Sequence, residues 1–67
     1  MKKNDYKFRL VYHLDTGEVK EKNFLAYEEM IGYLGFIVMI SQQVQVLYKV
    51  GGEWSIVRKI DITRPTL

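Results

Sequence analysis

His13 and Asp15 stand two residues apart in a stretch that alternates like a strand. That spacing puts both side chains on one side, where a carboxylate could steer an imidazole. Asp15, however, opens an Asp15-Thr16-Gly17 turn and is explained by it, which leaves His13 as an ordinary solvent-facing strand residue. Asp5, Asp15 and Asp61 fall at the ends of elements, with no spacing that pairs two carboxylates for acid–base work. Neither Ser41 nor Ser55 has a neighbouring base to activate it. With no Cys and a single His, the chain offers no recognisable metal-ligand spacing. Gly51-Gly52 reads as a hairpin turn rather than a phosphate cradle. Catalysis is therefore not expected, and no cofactor or metal is.

The residue types that remain suit binding. Phe36, Met39 and Ile40, with Tyr33 on the flank and Gly32 and Gly35 between them, lie opposite the apolar face of the one helical stretch. Each glycine costs a helix about 0.5–1 kcal/mol relative to alanine. One reading is simple tolerance in a helix held by packing. The other is a flattened outer face that a second backbone can approach closely, making these six residues the expected interface for a protein partner or a homodimer. Full burial of such side chains is worth about 1.5–3 kcal/mol each, so their exposure in a small domain calls for a purpose. In an alternative layout the helix ends earlier, and Met39 and Ile40 turn back into the core.

A second candidate surface interleaves cations with aromatics: Lys7, Arg9, Lys49, Trp54 and Arg58. A sheet that stacks bases on exposed rings binds single-stranded nucleic acid in this way. The net charge of +2 permits that partner without requiring it. Charged alternation on the outer side of a half-buried sheet is also what strand patterning alone produces. Nucleic acid is accordingly the second choice, behind protein.

The elements that position these residues are legible from periodicity and turn chemistry. Tyr6, Phe8, Leu10, Tyr12 and Leu14 alternate with polar or smaller residues, so Tyr6–Leu14 reads as a half-buried strand. Asp15-Thr16-Gly17 suits a type I turn with a G1 bulge. That turn sets Phe8 against Phe24, Leu10 against Lys22 and Tyr12 against Lys20. The second strand, with its Lys20-Glu21-Lys22 run, has the composition of a protected sheet edge.

Tyr27–Ser41 reads as a helix of about four turns. At 100° per residue, Tyr27, Met30, Ile31, Leu34, Ile37 and Val38 share its inner face. Val44–Val50 and Glu53–Ile62 follow as a second hairpin around Gly51-Gly52. With Val50 against Glu53, Val44, Val46, Tyr48 and Val57 share one side, and Leu47, Trp54, Ile56 and Ile60 the other. A shift of one residue would instead group Trp54 and Ile56 with Tyr48 and Val46.

The fold class that follows is α+β, in the order ββαββ: a four-stranded antiparallel sheet from two hairpins, with one helix packed on one face. Residues 1–67 make one small domain, with 1–4 and 63–67 read as frayed tails. The expected core is Phe8, Leu10, Tyr12, Phe24, Met30, Leu34, Ile37 and Val38. A chain this short has a marginal core and no disulfide to reinforce it, which favours oligomerisation. Absence of cysteine and of any signal-like or membrane-spanning run points to the cytoplasm and to no membrane partner. The two hairpins around a helix, with Gly52-Glu53-Trp54 at the second turn, form a layout that resembles short proteins of bacteria and their phages. The resemblance implies a non-enzymatic module that occludes a larger protein, as inhibitors of host or defence enzymes do.

Overall fold

A computed structural model describes residues 6–62; the sequence-based readings for Asp5 and for both tails lie outside them. The elements run β1 (Phe8–Leu14), β2 (Val19–Phe24), α1 (Tyr27–Ile37), β3 (Ser41–Val50) and β4 (Glu53–Asp61). All strand pairs are antiparallel, and the sheet order is β2-β1-β3-β4. This is the expected ββαββ α+β fold with one helix on the sheet.

Turn chemistry sets the first hairpin. The Leu14 amide donates to the Glu18 carbonyl at 2.7 Å and the Gly17 amide to the Leu14 carbonyl at 2.9 Å. Gly17 has φ +99°, a conformation that costs little only without a Cβ. Phe8 faces Phe24, Leu10 faces Lys22 and Tyr12 faces Lys20, as the loop length requires. Lys22 lies on the core side yet keeps its ammonium at the rim, 5.3 Å from the Tyr33 ring and 5.8 Å from that of Phe24. In the second hairpin Gly51 and Gly52 have φ +60° and +84°, the two positive values of a type I′ turn.

The hairpins join through their inner strands, β1 and β3. Phe8 opposes Tyr48, Leu10 opposes Val46 and Tyr12 opposes Val44. Leu10, Tyr12, Phe24, Met30, Ile37, Val44 and Val46 form the buried core. Of the other expected members, Phe8, Leu34 and Val38 pack against it while only partly buried.

Three details depart from expectation. The helix ends at Ile37 after 11 residues rather than at Ser41. Its last turn tightens, the Met39 and Ile40 amides donating to carbonyls three residues back (Phe36 and Ile37) at 3.1 Å each. Ser41 then begins β3 opposite Leu14, earlier than Val44, so pairing with the sheet takes the residues that helical periodicity would have kept. Secondly, the buried direction of α1 runs through Met30 and Ile37, with Tyr33 packed beside them, while Tyr27 and Ile31 are exposed. The inner face is thus rotated by roughly 40°, at 100° per residue, from the one that periodicity selects. Thirdly, Val46 pairs with Arg58 but Leu47 with Ile56, so Val57 is an extra residue on β4. That bulge reverses the alternation beyond it. Ile60 therefore pairs with Val44 and packs on the core instead of joining Leu47 and Trp54 on the far side.

Candidate functional site

The rotation of α1 and the bulge in β4 together create a site that neither periodicity nor spacing announces. The helix packs over β1 and β2. A helix roughly 10 Å across spans only about two strands set about 4.8 Å apart. The core-side residues Val44 and Val46 of β3 are still buried, and it is β4, with Val57 and Arg58 exposed, that is left without a full cover. What results is a half-open groove of about 380 Å³. Tyr27, Met30, Ile31 and Leu34 make its helical wall; Val46, Tyr48, Val57, Arg58 and Ile60 make its floor and far side. Phe8 closes one end of the local packing, with its ring edge-on to Tyr27 at 5.8 Å and to Tyr48 at 5.2 Å.

The groove is apolar apart from two tyrosines and one cation. Arg58 is the only charged residue lining it, and among the described residues it forms no ion pair. Its position there is the work of the bulge. In an uninterrupted strand paired from Val50–Glu53, Arg58 would fall on the outer side of the sheet with Arg9 and Lys49. With Val57 inserted, Arg58 pairs with Val46 and lines the groove. Val57 is 50% exposed.

This geometry divides the expected nucleic-acid residues. Arg9, Lys49 and Trp54 do gather on the outer sheet face, and Lys7 shares their side by strand alternation. Arg58 does not join them, because the bulge puts it on the opposite face. The Arg9 guanidinium lies 4.2 Å from the Trp54 ring centroid and the Lys49 ammonium 5.7 Å. Arg9 is also held by Asn23, whose Oδ1 accepts from its Nε at 2.7 Å, and it lies 4.0 Å from Glu21. The cations there are thus spent partly on covering the indole of their own sheet.

The expected helix patch is divided as well. Phe36 is 54% exposed and Met39 71% exposed, while Gly32, Gly35 and Ile40 also reach solvent. Tyr33 turns toward the core, its ring 5.6 Å from that of Phe24, and links outward to Phe36 at 6.0 Å. Burial first, then the neighbouring Tyr33 hydroxyl and its charge, raise the Tyr12 hydroxyl pKa above its ordinary value of 10.0. Met39 and Ile40 follow the shorter helix yet remain exposed, so neither sequence-based layout describes them fully.

Of the residues weighed for catalysis, His13 sits on β1 between Val19 and Gln43, and Ser41 is buried where β3 begins. Asp61 accepts a hydrogen bond from Gln43 Nε2 at 2.8 Å. Among the described residues no group of three or more His, Cys, Asp or Glu could hold a metal ion. Nor is any of their helices long and apolar enough to cross a membrane.

Fold and groove define a small two-layer α+β domain with an incompletely covered sheet. No protein-family model, curated protein or solved structure matches the chain.

Proposed function

We propose that this protein is a non-enzymatic protein-binding module, acting by covering part of a larger protein. The groove between α1 and β3–β4 carries the proposal. Its exposed Tyr27, Ile31 and Val57 keep apolar area in water that a docked surface would remove. The test is capture from a cell lysate with the full chain and with Val57→Lys as parallel baits. A protein retained by the first and lost with the second is the expected result. An identical set on both baits would refute binding through the groove. Retention of nucleic acid alone, falling steeply with salt, would move the function to the outer sheet face.

The exposed pair Phe36 and Met39, on the other flank of α1, supports self-association as a second element of the proposal. A homodimer through that flank would sediment as such and dissociate in Phe36→Glu. Sedimentation of the wild type as a monomer at high micromolar concentration would rule it out.

A further inference from the structure

Independently of the groove, we propose a second binding site on the opposite face of the sheet. There the cluster of Lys7, Arg9 and Lys49 beside Trp54 holds single-stranded nucleic acid, its phosphates on the cations and a base on the ring.

Cross-strand register assembles the cluster. The Lys49 amide donates to the Lys7 carbonyl at 3.0 Å, which continues the β1–β3 pairing one residue beyond Phe8 and Tyr48 and sets the two lysines opposite each other. Lys49 in turn faces Trp54 on β4. One row across the outer face therefore reads Lys7, Lys49, Trp54, and the next reads Asn23, Arg9, Leu47, Ile56. These two rows hold three cations and no acid. Glu21 falls in the following row, with Val11, Gln45 and Lys59, and Asp61 in the one after, with His13 and Gln43. Glu53 pairs with Val50 and belongs to the other side. Charge on the outer face is thus polarised toward the Gly51-Gly52 turn.

Packing gives no account of that polarity. Like charges directly opposite each other destabilise a strand pair. Strand lysines commonly blunt an exposed edge, which explains Lys20 and Lys22 on β2. β1 and β3 are the inner strands, however, so Arg9, Lys49 and the Lys7 that precedes β1 protect no edge. Lys7 and Lys49 are exposed and form no ion pair among the described residues, and Arg9 has only Glu21 at 4.0 Å.

The indole decides which polyanion fits. With the Arg9 guanidinium 4.2 Å over the Trp54 ring, the cluster already layers a cation on an aromatic plane. A nucleobase stacks on an indole or on a guanidinium, whereas an acidic peptide uses the charges alone. Ile56, 53% exposed in the adjoining row, adds apolar area beside the ring.

Trp54 is the only tryptophan of the chain, so its fluorescence reports on the site directly. The full chain is titrated with a single-stranded deoxythymidine oligomer of about eight nucleotides, within the span of such sites. Quenching is expected, with log affinity falling against log salt at a slope of about −2, from three phosphates at about 0.7 each. Lys7→Gln and Lys49→Gln should each weaken binding and flatten that slope by about 0.7. Lys59→Gln, in an acid-bearing row of the same face, and Val57→Lys, in the groove, should leave slope and quenching unchanged. A polyglutamate peptide of equal charge should bind more weakly and leave Trp54 unquenched. Absence of salt-sensitive binding would overturn the proposal, and so would equal losses in Lys49→Gln and Lys59→Gln, which would show diffuse attraction. Polyglutamate bound as tightly as the oligomer would assign the cluster to an acidic peptide instead. Loss of oligomer binding in Val57→Lys would place the nucleic acid in the groove and overturn this site. Failure of the outer-face site leaves the groove reading standing, since that rests on proteins captured by the opposite face.

Discussion

Replacing Ile37 and Ile31 separately by alanine tests where α1 meets the sheet. Ile37 is 0% exposed and Ile31 42% exposed, although helical periodicity alone places them on one inner face. Loss of three carbons from a fully buried isoleucine removes about 2.4 kcal/mol of transfer free energy at about 0.8 kcal/mol per methylene. The cavity left behind brings the total for Ile37→Ala to about 3–4 kcal/mol. Ile31 borders an open groove, where surroundings are already wet, so Ile31→Ala should cost about 1 kcal/mol or less. Set against about 3–10 kcal/mol of total stability for a domain of this size, the first change removes a large share of the folded population. Urea unfolding followed by Trp54 fluorescence and by helical circular dichroism measures both. The difference should appear as a midpoint shift at constant slope. Equal costs for the two variants would refute the rotated helix, and a mild effect of Ile37→Ala would place the core elsewhere.

Two further changes probe the glycines and the tyrosine pair. A Cβ added at Gly35 meets nothing within 4 Å. Gly35→Ala should therefore stabilise the monomer by about 0.5–1 kcal/mol in thermal unfolding, and a loss of self-association in the same variant would show that the glycine serves close helix approach. Gly17→Ala meets equally open space but keeps φ +99°, so it should destabilise by about 1–2 kcal/mol; a gain would mean the turn has another backbone shape. The raised pKa of Tyr12 has a definite sign in stability. Above about pH 10 the unfolded chain releases this proton while the folded one keeps it, so stability is full below that pH and falls as pH rises through the folded value. Urea midpoints at increasing alkaline pH should show that fall, and Tyr12→Phe should reduce it; an undiminished fall would assign it to other groups.

Local chemistry made much of the fold legible. Gly17 at the αL position and Gly51-Gly52 with paired positive φ specify hairpins of fixed loop length, and loop length specifies register. Aromatic alternation in β1 and the interleaved charges of β2 likewise identified a buried strand and a sheet edge, since both depend on residues within one or two positions of each other. The residues of the candidate groove were visible individually, but their assembly was not. Helical periodicity defines an apolar arc wider than the contact one small sheet can make. Which part of the arc is buried depended on α1 settling over Leu10, Tyr12, Phe24, Val44 and Val46, leaving Tyr27 and Ile31 outside. The end of the helix was likewise decided by competition, because Ser41 gains a partner in Leu14 only if the chain leaves the helix first. Arg58 shows the same dependence at the level of one residue. Strand alternation assigns it to the outer face with Arg9 and Trp54, and a single inserted Val57, whose presence between Leu47 and Val46 is a property of cross-strand pairing, carries it to the other side. Sequence by itself determined the order of elements, the turns and the apolar inventory, because those arise from short-range sterics and burial preference. Tertiary structure alone decided which apolar residues stay in contact with water and which cation joins them, because a lone helix cannot cover four strands.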